Sequence, residues 1–255
     1  MLERLFVEVE GIRISILKGK ERDVFYVHSS GSDALQWEKQ LEEVGGYAID
    51  LPNHGKSEKA EVKSVDDYAY YVSESLKRMG KNMVLVGHSL GGAVVQKVYL
   101  NNPEVCKGLV LVGTGARLRV LPDILEGLKK NPEKAVELIL EMGFAEKGEE
   151  YEKKKREFLE RIEVLHLDLS LCDKFDLLED YKSGKIKINV PTLIVVGEKD
   201  RLTPVKYAEF FHKHIPNSKL VVIKGASHMV MIEKPEEFNK ALEEFLKEVN
   251  REKRK

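Results

Sequence analysis

"NMVLVGHSLGGAVVQKVYL", residues 82–100, decides how the rest of this chain is read. Apolar residues run unbroken from Met83 to Val86, as in a strand buried on both faces. From Leu90 onward the apolar positions recur at helical spacing. Between the two patterns stands Ser89, with Gly87 and Gly91 two residues to either side. A turn this sharp forces its apex residue into strained backbone geometry and lifts the side chain above the sheet. Neighbours packed so closely fit only without a β-carbon, which accounts for Gly87 and Gly91; Gly92 lets the helix lie close on the strand. The helix N-terminus then supplies unpaired N–H groups and a positive dipole end beside the hydroxyl, a setting that suits an oxyanion. By composition alone, G-x-S-x-G arises in roughly one chain in ten of this length. Its weight comes from its place between a buried strand and an amphipathic helix.

The pattern extends in both directions. "LFVEV" and "IRISIL" flank Gly11 and read as an opening hairpin. "DVFYVH", "YAIDLP", "KGLVLVG", "PTLIVVG" and "KLVVIKG" read as further strands. Amphipathic stretches lie at Ser64 to Met79, Ser89 to Leu100, Val205 to His214 and Pro235 to Val249. Strands alternating with helices imply right-handed crossovers and an α/β fold with a doubly wound, mostly parallel sheet. From Arg117 to Gly184 the rhythm breaks and only helix-like segments occur, such as "PEKAVELILEMGF" and "KKKREFLERIEVLHL". The expectation is a core of residues 1–116 and 185–255 carrying a helical insertion at 117–184.

A serine hydroxyl is a poor nucleophile at neutral pH and needs a base, which in turn needs an orienting group. In this fold order the acid follows the serine and the histidine follows the acid. Asp200 lies just beyond the strand "PTLIVVG", and His228 just beyond "KLVVIKG". Strand ends on this side of a parallel sheet share one edge, so the three side chains can meet there. Glu198 is a weaker candidate for the acid, being nearer the strand. His88 is expected to pack, His212 and His214 to lie on a surface helix, and His166 within the insertion. The expected oxyanion donors are the Leu90 N–H and, from the loop "HSSGSDALQW", the Ser30 N–H, with His28 bracing that loop.

Composition narrows the alternatives. The 255 residues are 42% apolar and 33% charged, with a net charge of −1, so no global field favours nucleic acid or an anionic membrane. The three glutamines, against abundant Lys and Glu, suit a protein built for high temperature. Cys106 and Cys172 lack metal-type spacing and read as buried free thiols, with a disulfide the minority reading. No H-E-x-x-H or paired-cysteine motif suggests a metal, and no cofactor is implied. No apolar run approaches the ~18 residues of a membrane helix, and the start lacks a signal-peptide core; a cytoplasmic location is expected. The terminal "REKRK" reads as a solvated helix end.

The motifs "HSSG", "DLPNHGKS", "GHSLGG", "GEKD" and "GASHMVMIEKP" together resemble the α/β-hydrolase superfamily over nearly the whole chain outside the insertion. Ser29 and Asn53 stand where that family usually has glycine. The resemblance implies a serine esterase with a helical cap, acting on short to medium acyl esters. Acyl thioesters are an alternative substrate class: Arg117 and Arg119, followed by Lys129 and Lys130, stand where the insertion leaves the active edge and can meet an anionic leaving group. A carbon–carbon bond hydrolase uses the same three residues, and a small-molecule sensor keeps the same fold.

Overall fold

The computed structural model describes residues 2–252; of the basic terminus, residues 253–255 lie outside the described residues. β1 (Glu3–Val9) and β2 (Ile12–Lys18) pair antiparallel across a two-residue turn, Glu10 and Gly11, both at positive φ. β3 (Val24–Val27) follows, then a 3₁₀ turn at Ala34–Trp37 that runs into α1 (Glu38–Glu43). No helical periodicity marks this stretch in the sequence, because it is short. Asp33 starts it by accepting the Leu35 N–H at 2.9 Å, and Trp37 and Leu41 anchor it in the core.

β4 (Tyr47–Ile49) leads through a long loop to α2 (Val65–Met79), which Ser64 and Asp67 cap reciprocally. β5 (Met83–His88) and α3 (Leu90–Asn101) meet at Ser89, and β6 (Cys106–Val112) completes the first half. Residues 117–184, the expected insertion, hold α4 (Pro122–Lys130), α5 (Pro132–Gly143), α6 (Glu149–Glu160), α7 (Ile162–Lys174) and α8 (Leu178–Lys182). The alternation resumes with β7 (Thr192–Gly197), α9 (Val205–His214), β8 (Ser218–Ile223), α10 (Val230–Glu233) and α11 (Pro235–Glu252).

The strands form one sheet in the order β1-β2-β4-β3-β5-β6-β7-β8, antiparallel from β1 to β4 and parallel from β4 to β8. Alternate residues of the central strands serve two cores. Leu85, Leu109, Leu111 and Ile194 pack with α2, α3 and α9; Val84, Val86, Val110 and Val195 pack with Trp37, Leu41 and the apolar face of α11. Burial on both faces is why these runs carry no polar alternation. A third cluster joins α4 to α7 with Met229, and so seats the insertion over the C-terminal edge of the sheet. The ends of the insertion are stitched together: Leu177 N–H donates to Ala116 O at 2.7 Å, and Arg117 and Asp176 form an isolated antiparallel bridge. Both cysteines are buried and free. Among the described residues, no helix is long and apolar enough to cross a membrane.

Candidate active site

Ser89 has φ 54° and ψ −114°, a conformation that L-residues rarely adopt. The surrounding backbone holds it there. Ser89 N–H donates to Val112 O at 3.0 Å, while Ser89 O accepts Gly92 N–H at 2.9 Å and the Thr114 hydroxyl at 2.8 Å. A β-carbon on Gly87 would stand 2.2 Å from Gly91 O, and one on Gly91 would stand 2.2 Å from Val27 O. Both glycines are therefore steric requirements of the turn.

Asp200 sits three residues beyond β7 and His228 five residues beyond β8, both nearly fully buried. His228 Nδ1 lies 2.9 Å from Asp200 Oδ2. Three further donors converge on the same carboxylate: Leu202 N–H at 2.9 Å, Thr203 N–H at 2.8 Å and the Thr203 hydroxyl at 2.8 Å. An ionised carboxylate only accepts, so Nδ1 carries the proton and Nε2 keeps a free lone pair. Ser89 and His228 line the same two cavities. No hydrogen bond joins Ser89 Oγ to Nε2, and neither atom has another partner among the described residues. In unliganded sites this contact is often open and closes with substrate. Glu198 is turned away, accepting the Gly225 N–H at 3.1 Å.

Neither the Leu90 nor the Ser30 N–H is taken by a hydrogen bond among the described residues. Leu90 is the first residue of α3, where an N–H has no partner within the helix. The Ser30 N–H is aimed by its neighbour. His28 Nε2 accepts the Leu51 N–H at 3.1 Å, so the proton is on Nδ1, which donates to Ser29 O at 2.8 Å. In a trans peptide, C=O and N–H point in opposite directions; His28 thus turns the Ser30 N–H away from itself. Burial pushes the His28 pKa down to about 4, with the neighbouring His54 charge assisting, so the ring stays neutral.

Ser29, at the usual glycine position, is accommodated by Gln36. Gln36 Oε1 accepts both the Ser29 N–H at 3.2 Å and the Ser29 hydroxyl at 2.7 Å. Its amide nitrogen donates to His88 Nδ1 at 3.1 Å, and His88 Nε2 donates to the carbonyl of His228 at 2.9 Å. Burial, and then the charge His228 can carry, hold the His88 pKa well below the ordinary value. His88 is therefore more than the packing residue the sequence suggested: it is a neutral strut between the two loops. Asn53, at the other expected glycine, takes φ 73°, and its side-chain oxygen accepts the Ala60 N–H at 3.1 Å.

Ser89 stands between two spaces. One, about 320 Å³, is walled by Leu118, Leu121, Ile124, Ile139, Met142 and Leu169. Its walls also include Arg119, Arg201 and Lys206, with no acidic residue. The other, about 50 Å³, is an apolar recess lined by Ser30, Phe144, Phe158 and Leu165. A larger groove of about 620 Å³ lies between α4 and α5, but its walls include Asp123, Glu126 and Glu141 and none of the three central residues. Of the arginines expected at the mouth, Arg119 lines the larger space while reaching Asp176 at 3.4 Å. Arg117 does not line it; its guanidinium faces Asp176 at 3.9 Å beside the stitched ends of the insertion. Lys129 and Lys130 do not line it either. Arg201 and Lys206, which no sequence signal marked, do line it, and neither has a carboxylate within salt-bridge distance among the described residues.

The family model described as "Alpha/beta hydrolase family" matches residues 24–241. A solved structure described as that of a thermophilic esterase is 74% identical, with a TM-score of 0.96 over 98% of this chain and 99% of that one. A pimeloyl-[acyl-carrier protein] methyl ester esterase of Neisseria meningitidis is 26% identical over 89% of this chain and 94% of its own length. A proline iminopeptidase of Saccharolobus solfataricus is 26% identical over 91% and 87%.

Proposed function

Since this chain belongs to the alpha/beta hydrolase family and is a hydrolase enzyme, we propose that it cleaves carboxylic esters of short to medium acyl chains through a covalent acyl-enzyme. Ser89 is the nucleophile, His228 the base and Asp200 the acid that orients it. The observation that carries this reading is the Asp200–His228 hydrogen bond, which leaves Nε2 with a free lone pair on a ring lining both cavities that Ser89 lines. As Ser89 Oγ bonds to the ester carbonyl carbon, Nε2 takes the hydroxyl proton and Asp200 stabilises the imidazolium. The carbonyl oxygen becomes an alkoxide and is met by the Leu90 and Ser30 N–H groups. His228 then gives its proton to the departing alcohol, and water enters by the same path to release the acid. Residues 117–184 form the cap, excluding water and walling the pocket with Ile124, Ile139 and Leu169.

The division of space about Ser89 shapes the substrate. Holding one water takes about 10–15 Å³ of such space, so the recess of about 50 Å³ takes only a small group. The larger cavity receives the longer part of the ester. Fluorophosphonate labelling of Ser89, and hydrolysis of esters of graded acyl length by native protein and Ser89→Ala, test the reading. Equal rates in the two proteins would overturn it; an unlabelled Ser89 in folded protein would favour the sensor instead.

A second reading is favoured by the cationic mouth. Arg119, Arg201 and Lys206, with no carboxylate in the same wall, suit a substrate bearing an anionic group remote from the scissile bond. A thioester with a phosphate-bearing leaving group is one such substrate; the relatives named pimeloyl-[acyl-carrier protein] methyl ester esterase support an ester with a large group remote from the scissile bond rather than the thioester itself. Carbon–carbon bond hydrolysis has no observation of its own here. The ion-pairing surface and the likeness to a thermophilic esterase support a thermostable enzyme.

A further inference from the structure

Four successive residues of the loop after β3 are each held by α6, α7 or the residue between them. Cys172 Sγ lies 3.7 Å from Ser30 Oγ, and Asp168 Oδ2 accepts the Gly31 N–H at 2.8 Å. Lys154 Nζ donates to Ser32 Oγ at 3.1 Å, and the Arg161 guanidinium donates to Asp33 Oδ2 at 2.7 Å. Asp168 is wholly buried although it lies in the middle of α7. Burying a carboxylate is costly, and a well-packed apolar residue usually stabilises as much or more. Core packing alone therefore does not account for it.

Its partners do. Asp168 Oδ2 also meets His54 Nε2 at 2.8 Å, and Oδ1 accepts the Tyr68 hydroxyl at 2.7 Å. His54 Nδ1 faces the Pro52 carbonyl oxygen at 2.9 Å. With Asp168 ionised, an acceptor faces each ring nitrogen, the arrangement that suits an imidazolium. Burial lowers the His54 pKa, but the Asp168 carboxylate and the Pro52 carbonyl more than offset this, leaving it above the ordinary value. The carboxylate is thereby neutralised and fixed from three sides. Ser30 is consequently clamped through the peptide on each side: His28 holds the Ser29 carbonyl, and Asp168 holds the Gly31 N–H. Gly31 has φ 65°, and a β-carbon there would stand 3.0 Å from Leu165 Cδ1, which shows how closely α7 lies on the loop.

We propose that Asp168 is a positioning residue: from the cap helix α7 it fixes the Ser30–Gly31 peptide, sets the direction of the Ser30 N–H, and makes the cap part of the oxyanion site. This rests on reading the Ser30 N–H as an oxyanion donor. Removing a complete donor of this kind costs about 10²–10³ in kcat; loosening one costs less. Asp168→Ala, with kcat counted per titrated active site, is expected to lose roughly tenfold to hundredfold in kcat with KM within about twofold. Binding of a trifluoromethyl ketone, which forms an oxyanion on Ser89, should weaken by the same factor relative to a methyl ketone of the same shape. Loss of folded protein alone would lower the titrated site count and leave both ratios intact. Unchanged kcat per site, a change confined to KM, or equal weakening of both ketones would overturn the proposal. Should Asp168→Ala fail to fold, Asp168→Asn carries the test. A neutral oxygen grips the Gly31 N–H less strongly, so a loss of about threefold to tenfold is expected, and an unaltered kcat and ketone ratio would again overturn it. If native protein neither hydrolyses esters nor binds the trifluoromethyl ketone, the earlier reading has failed instead.

Discussion

Replacing Gln36 by leucine removes the middle of a buried relay at little change in volume. Three polar groups lose their partner: the Ser29 N–H, the Ser29 hydroxyl and His88 Nδ1. Ser29 is 4% exposed and His88 0%, so bulk water cannot replace the amide. An unsatisfied buried group costs about 1–3 kcal/mol, which for all three gives an upper range of about 3–9 kcal/mol. Rotation of the hydroxyl and added apolar burial recover part of this, leaving an expected loss of about 2–5 kcal/mol. Against a typical total of roughly 5–15 kcal/mol that is large. Guanidinium unfolding of native and Gln36→Leu proteins, compared at matched m-values, measures it. Adding Ser29→Gly to Gln36→Leu takes away one orphaned hydroxyl and should return about 1 kcal/mol, a coupling that a double-mutant cycle isolates. Because the relay ends on the carbonyl of His228, kcat should fall as well. A stability loss below about 1 kcal/mol, or strict additivity with Ser29→Gly, would refute the reasoning.

Gly91→Ala should lose at least about 1–3 kcal/mol and most activity, because its β-carbon would meet Val27 O at 2.2 Å; thermal unfolding and fluorophosphonate labelling report the two effects, and native-like values of both would contradict the close approach. The raised pKa of His54 carries a definite sign: its contribution to stability is complete below the unfolded value of 6.5 and is lost as pH rises through the higher folded value. The stability difference between native and His54→Gln should therefore shrink as pH rises from below 6.5 through the higher folded value, and a constant difference would exclude the ion pair. His28 and His88 act oppositely, since their lowered pKa values mean that stability is lost as pH falls below 6.5. Arg201→Glu with Lys206→Glu should lower kcat/KM roughly tenfold for an ester bearing a remote carboxylate and leave a neutral ester of equal length unchanged; equal effects on both would remove the cationic mouth from specificity.

The sheet and the turn at Ser89 were legible in the sequence because their determinants are local. The strands announce themselves by unbroken apolar runs, and the turn at Ser89 by glycines whose positions sterics dictate within five residues. Asp200 and His228 were legible as candidates through a topological rule, that parallel strand ends share one edge, which needs no side-chain contact to be known, and the two side chains do meet. The short helix after Trp37 escaped because its evidence is tertiary: the burial of Trp37 and Leu41 against α11.

Of the residues that position the expected oxyanion donor, His28 was legible as a brace of its loop, but Asp168 was not, and the reason is separation along the chain. Asp168 reaches Gly31 across 137 residues and Tyr68 across 100, and in sequence it is one polar residue in the amphipathic stretch "LHLDLSL". A solvated position on a helix has the same spelling. Gln36 was equally silent, although its contacts carry the one departure from the family pattern that touches the loop proposed to hold the oxyanion, Ser29. The substitution of glycine by serine is tolerable only where a buried acceptor waits for its hydroxyl, so Ser29 and Gln36 must be read as a pair. Chemistry here is written in residues that touch the reacting atoms, while its precision is written in buried polar groups that do not. Such groups become visible only when each buried donor is asked where its acceptor lies.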